Sequence, residues 1–125
     1  YFMKKAITGE LLYIYGHEGY QVRDIIHASD LAELFYQFIL NPQKGQVYNI
    51  GGGRQNFISL LEAIELIEEI TGKKINYELA PERDADHKWW ISNIRKAKEH
   101  YPQWGIRKGL GEIFEDIYRA LEVNR

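Results

Sequence analysis

The sequence predicts a small α/β domain, α+β in its order, built from short strands and about four to five helices. Three observations carry this. Apolar residues recur at helical period behind two Asp/Ser-x-x-Glu starts, Asp30 to Glu33 and Ser59 to Glu62. Short β-type runs at 11–15, 46–50 and 75–79 are each followed within two residues by glycine or proline. No repeat or low-complexity stretch breaks the order. A chain of 125 residues, 45% of them hydrophobic, buries roughly two-thirds of its unfolded surface, enough for one compact domain.

The elements follow in turn. Residues 1–8 form the end of a helix stopped by Gly9, and nothing ahead of Tyr1 caps it, so the chain reads as part of a longer protein. Leu11 to Tyr15, the turn Gly16-His17-Glu18-Gly19 and the run from Gln21 to His27 predict a hairpin or two short strands. Asp30 is the expected cap of a helix over 31–40, with Leu31, Leu34, Phe35, Phe38 and Ile39 as its apolar stripe, ended near Asn41-Pro42. Gln46 to Ile50 reads as a strand entering the loop Gly51-Gly52-Gly53. Ser59 and Glu62 open a helix whose core face is Leu60, Leu61, Ile64, Ile67 and Ile70 and which Gly72 terminates. A strand over 75–79 and a charged loop over 81–88 come next, then a short helix capped by Ser92 or Asn93 that reaches Tyr101-Pro102. The last helix covers 110–121, with Ile113, Ile117, Ala120 and Leu121 inward.

Composition narrows the function. Sixteen basic and 18 acidic residues leave a net charge of −2, which disfavours a nucleic-acid or anionic-membrane binder. Cysteine is absent, excluding disulfides, thiolate metal sites and a cysteine nucleophile, and no apolar run approaches membrane-spanning length. A soluble, cytoplasmic protein is the expectation. There is no Gly-x-Gly-x-x-Gly, no phosphate loop and no His-Glu-x-x-His, and the four histidines lie far apart, so no metal ligand set is expected.

Candidate residues are therefore binding residues. Arg23, on a short strand beside a turn, offers a fork to a phosphate, with an Arg23–Asp24 ion pair as the structural alternative. Arg83 brings a second guanidinium in Glu82-Arg83-Asp84-Ala85-Asp86, where Asp86 has the acceptors for ribose hydroxyls. Gly51 to Gly53 permits a close backbone approach or simply a turn. At least one of Trp89 and Trp90 is expected to anchor its loop to the core, and His27 to hydrogen-bond near the Asp30 cap. Tyr1 and Lys5 match the Tyr-x-x-x-Lys spacing of a reductase, a match easily met by chance and given no catalytic role here.

Tyr13-Ile14-Tyr15-Gly16, the run from Gln21 to Leu31, Val47-Tyr48-Asn49-Ile50-Gly51-Gly52-Gly53 and Ser59-Leu60-Leu61-Glu62, taken in order, resemble the extended short-chain dehydrogenase/reductase family, the NAD-dependent epimerases and dehydratases. Residues 83–88, 91–97 and Trp104 continue the similarity over nearly the whole chain. Within the family the segments resemble CDP-tyvelose (CDP-paratose) 2-epimerases, then UDP-glucose 4-epimerases and dTDP-glucose 4,6-dehydratases. The resemblance implies that residues 1–125 are a single C-terminal α+β substrate-binding domain whose N-terminal Rossmann part, with the catalytic residues and the NAD site, is missing. It implies that Arg23 and Arg83 bind the diphosphate of a CDP-, UDP- or dTDP-linked sugar, that Asn49 lies near it, and that Asp86 addresses the ribose. A parent isomerase inactive as this fragment and a homodimer of the full-length enzyme are further expectations; a non-catalytic nucleotide-sugar-binding or interaction module is the alternative. Lys88 stands where relatives commonly carry Arg, and Asn93 where they often carry Asp, which bears on the grip on the nucleotide and on the local helix cap.

Overall fold

Leu12 and Ile14 alternate with Tyr13 and Tyr15 along β1 (Leu12–Tyr15), and this period-two pattern sets which side of the strand is core: Leu12 and Ile14 are fully buried, the two tyrosines exposed. In the computed structural model, which describes residues 1–123, β1 pairs in parallel with β4 (Tyr77–Ala80). A separate three-stranded sheet has the order β3-β2-β5: β2 (Val22–Asp24) runs antiparallel to β3 (Phe57–Ser59) and parallel to β5 (Trp89–Trp90).

Two short strands at 12–24 are thus present, but not as a hairpin. Gly16 at φ 74° and ψ 164° takes a conformation reserved for glycine, and a 3-10 turn over His17–Gly19 carries the chain out of β1's sheet into the other. Helix α1 (Phe2–Thr8) ends, as expected, at Gly9 in the left-handed conformation. It packs with α3 (Leu60–Thr71) and α5 (Leu110–Val123) over β1, closing a core of Met3, Ile7, Leu12, Ile14, Ile67 and Phe114. The α3 cap is the expected box: Ser59 Oγ accepts the Glu62 amide while Glu62 Oε2 accepts the Ser59 amide at 2.8 Å. Gly72 ends α3 in the left-handed conformation.

Helix α2 (Ala28–Leu40) starts earlier than expected because its cap is His27, whose Nδ1 accepts the Ser29 amide at 3.1 Å. Asp30 lies inside the helix and is buried. Its carbonyl accepts Trp104 Nε1 at 2.7 Å and its carboxylate accepts the Arg107 and Lys108 amides at 3.1 and 3.0 Å. A carboxylate that meets two backbone donors from a distant loop has more to gain there than at a solvated helix start. Trp104 forms a second core with Leu34, Ala97, Tyr101 and Ile106. Of the predicted α2 stripe, only Leu34 is buried; Phe35, Phe38 and Ile39 are exposed. Similarly, α5 buries Ile113 and Phe114, whereas Ile117 and Ala120 are exposed.

The expected strand at 46–50 is not one: no described strand flanks it, and side chains hold it instead. Lys96 Nζ donates to the Val47 carbonyl at 3.0 Å, and Tyr48 Oη lies 2.7 Å from His100 Nδ1. Burial pushes the Tyr48 phenol up from its usual pKa. Helix α4 (Arg95–His100) has Ile94 at its cap position, yet Asn93 Oδ1 accepts the Arg95 amide at 3.1 Å, so Asn93 does supply the capping acceptor. Ser92 is used elsewhere.

Candidate functional site

The middle strand of the three-stranded sheet places the first site residue. Val22 and Asp24 flank Arg23 on β2, and the half-buried Arg23 side chain donates through Nη2 to Asp86 Oδ1 at 2.7 Å and through Nη1 to the Val22 carbonyl at 2.7 Å. The alternative Arg23–Asp24 pair does not form. Asp24 Oδ2 accepts the Gly53 amide at 2.8 Å and the Ser92 amide at 3.1 Å, while Oδ1 accepts Ser92 Oγ at 3.3 Å. Successive residues of a strand face opposite ways, so Arg23 is left to one side of the sheet and Asp24 to the other.

The loop over 81–88 brings the rest. Between Arg83 and Asp86 the chain turns tightly through Ala85 at φ 61°, with the Asp86 amide donating to the Arg83 carbonyl at 3.3 Å. Arg83 and Asp86 thereby reach the same cleft. The Arg83 guanidinium lies 4.0 Å from the centre of the Tyr15 ring, a cation–π stack that holds its plane. His17 keeps the loop down, its Nε2 3.4 Å from the Asp86 carbonyl and its Nδ1 3.5 Å from Glu82 Oε1.

Arg23, Arg83 and Asp86 line one cleft of about 600 Å³ together with Tyr15, Gln21 and Asp84. Gln21 is buried beneath it, donating to the Tyr15 carbonyl at 2.9 Å, with its Oε1 unpartnered. Asn49 is not in this group: it lies in an adjoining cleft of about 480 Å³ lined by Tyr48, Trp89, Trp90 and Ser92. Arg23, which lines the first cleft, stands opposite Trp90, which lines the second, in the β2–β5 ladder. Neither tryptophan anchors the loop to the core, because a two-residue edge strand leaves both half-exposed at 62% and 54%; His87 packs on the Trp90 ring instead.

Tyr15 was not singled out in the sequence as a binding residue. The alternation along 12–15 carries the signal for it, since burying Leu12 and Ile14 turns the tyrosines outward. Tyr1 lines the same cleft as Arg23 and Arg83, but Lys5 does not. Lys5 Nζ donates to Glu10 at 2.6 Å, a bond that raises the lysine pKa and lowers the glutamate's, and it stands 5.5 Å from the Tyr1 ring centre. Among the described residues no three His, Asp or Glu side chains are grouped to hold a metal ion, and no helix is long and apolar enough to cross a membrane.

Comparison with known proteins places this geometry. Residues 1–51 match the model of the NAD dependent epimerase/dehydratase family. CDP-paratose 2-epimerase of Salmonella typhi is 30% identical over 102 residues, 78% of this chain and 30% of that protein. UDP-glucose 4-epimerase of Bacillus subtilis is 32% identical over 123 residues, 92% of this chain and 35% of that protein. The chain therefore spans about a third of the length of these curated relatives. Among solved structures, the UDP-glucose 4-epimerase of Bifidobacterium longum in complex with NAD+ and UDP superimposes with a TM-score of 0.82 at 27% identity, over 99% of this chain and 38% of that one. The dTDP-glucose 4,6-dehydratase of Bacillus anthracis in complex with NAD gives 0.84 at 26% identity, over 98% and 38%.

The loop Gly51 to Gly53 does not fit a dinucleotide. A dinucleotide loop needs open space above its glycines, but a Cβ on Gly51 would come under 3.0 Å from Asp24 and Ser92, and one on Gly52 under 3.0 Å from Ile25 and Asn56. Gly51 and Gly52 serve close packing inside the chain, and Gly53 takes a positive φ of 61°. The strands and helices superimpose on one part of larger solved folds, and the chain belongs to the extended short-chain dehydrogenase/reductase family of NAD-dependent epimerases and dehydratases.

Proposed function

We propose that this chain is the nucleotide-sugar-binding domain of an NAD-dependent nucleotide-sugar epimerase, with CDP-paratose/CDP-tyvelose 2-epimerisation as the reaction of the whole protein. The observation that carries the binding role is the convergence of Arg23, Arg83 and Asp86 on one cleft from two connections far apart in sequence. Two forks suit the two phosphates of a diphosphate, and a carboxylate, which only accepts, suits ribose hydroxyls. Asn49, in the second cleft with Trp90, is assigned to the far side of the same ligand. Holding the remote diphosphate fixes where the sugar lies, so binding energy becomes orientation at the reacting carbon. The CDP preference rests on the Salmonella typhi relative; the Bacillus subtilis and Bacillus anthracis proteins support UDP-glucose 4-epimerase-like and dTDP-glucose 4,6-dehydratase-like readings of the same cleft. A homodimer of the whole enzyme and a cytoplasmic location complete the reading, with NAD bound outside this chain.

The test is calorimetric titration of wild type, Arg23→Ala and Arg83→Ala with a nucleoside diphosphate and with free sugar, at fixed salt. Each variant loses about 10- to 150-fold in affinity for the diphosphate, the equivalent of about 1.5–3 kcal/mol for a charge-assisted contact. Lys at either position restores only part of it. Equal binding by all three proteins overturns the reading.

A further inference from the structure

The turn after β1 carries a histidine that has an acceptor at each ring nitrogen. His17 Nδ1 lies 3.5 Å from Glu82 Oε1 and Nε2 lies 3.4 Å from the Asp86 carbonyl oxygen, with the His17 side chain 17% exposed. A neutral imidazole has one N–H, so it donates to one of these and sets a lone pair against the other. The imidazolium has two and serves both, and its bond to Glu82 is then charge-assisted. Glu82 and Asp86 stand on either side of Arg83 in the loop, so a side chain that ties both governs where Arg83 is carried.

The backbone holds His17 there against its preference. His17 at φ 47° and Glu18 at φ 51° are consecutive left-handed residues that are not glycine, set between Gly16 at φ 74° and Gly19 at φ 85°. Such a conformation persists only where its surroundings over-determine it. The turn also lies directly on the loop, since a Cβ on Gly16 would come 3.1 Å from Glu82 Cγ and 3.2 Å from its Cα. Glu82 is the charged side chain in ion-pair contact with His17; the Asp86 carboxylate is turned to Arg23, and Arg83 stacks on Tyr15. Glu18, Asp84 and Lys88 make no ion pair among the described residues.

We propose that His17 is a positioning residue for the nucleotide diphosphate: protonated, it latches the loop over 81–88 so that Arg83 is held at the cleft, and neutral, it releases one of the two ties. The proposal rests on the diphosphate reading of Arg83 given above. Histidine exchanges its proton between about pH 5 and 8, so binding strengthens as pH falls through that range. The physical reason is that a loop already ordered has less freedom to lose when the ligand arrives.

The experiment measures the affinity of the complete enzyme for UDP-glucose and CDP-glucose at intervals between about pH 8 and 5, at fixed ionic strength. Both phosphates of these probes are esterified and do not titrate in that range. The proteins are wild type, His17→Asn, Glu82→Gln and Arg83→Ala; asparagine tolerates the left-handed backbone at position 17 and takes up no proton. Wild-type affinity rises roughly two- to fivefold from the alkaline to the acid end, the scale of one partly exposed ion pair. Most of that rise is lost in His17→Asn and in Glu82→Gln, which a purely structural role for either side chain would not bring about. Retention of the full rise in either variant, or a wild-type affinity that is flat or falls towards acid, overturns the proposal. The Arg83→Ala arm separates the two levels. If it binds both probes as tightly as wild type, the diphosphate reading fails and the proposal with it; if it binds them more weakly while His17→Asn keeps the full rise, only the proposal fails.

Discussion

The Asp24 carboxylate accepts the Gly53 amide at 2.8 Å, tying the middle strand of the three-stranded sheet to the start of the 3-10 turn over Gly53–Gln55. The same carboxylate also holds the Ser92 amide and hydroxyl, so one half-buried side chain joins three segments that share no ladder.

Asp24→Ala removes the acceptor for three donors and is expected to destabilise the fold by about 1–3 kcal/mol, because those donors are left without a partner in a partly desolvated place. Urea unfolding checks it through the midpoint at constant slope. Asp24→Asn, which keeps one acceptor oxygen, should fall between the two; a variant indistinguishable from wild type would show that the knot is ornamental.

The α3 capping box sets part of the acid stability. The Ser59 hydroxyl, and then the Ser59 amide, hold the Glu62 carboxyl below its usual range. A folded-state pKa that is depressed contributes stability above the ordinary glutamate value of 4.5, and that contribution is lost as pH falls through the ordinary value towards the depressed one. Ser59→Ala is expected to cost about 1 kcal/mol at neutral pH. In Glu62→Gln the stability-versus-pH curve between about pH 5 and 3 should be flatter than in wild type. A curve of the same steepness would remove Glu62 from the acid response.

Tyr1→Phe, made in the complete enzyme, is expected to leave turnover nearly unchanged. Lys5 is committed to Glu10 at 2.6 Å and stands 5.5 Å from the Tyr1 ring centre. A thousandfold loss in kcat would show that the spacing is functional after all.

Local chemistry was legible wherever a few adjacent residues decide the outcome. The Ser59–Glu62 box and the glycine stops at Gly9 and Gly72 each depend on backbone geometry within one turn, and each formed where the sequence predicted it. Arg83 and Asp86 were also legible as a pair, since a tight turn puts residues three apart on one side.

What lay beyond the sequence was every choice between distant partners. Asp30 had the spacing of a cap but is taken by the Arg107 and Lys108 amides, 77 and 78 residues away, leaving His27 to cap the helix. Residues 46–50 had the composition of a strand, but a strand needs a partner, and none of the described strands pairs with them. Arg23 had an adjacent carboxylate in Asp24, yet strand geometry turns the two apart and tertiary folding delivers Asp86, 63 positions on. The sequence by itself determined the Ser59–Glu62 cap, the glycine stops and the identity of the arginines; the tertiary structure alone decided which acceptor each donor meets, because a hydrogen bond or ion pair is fixed by distance in space, and the sequence states only distance along the chain.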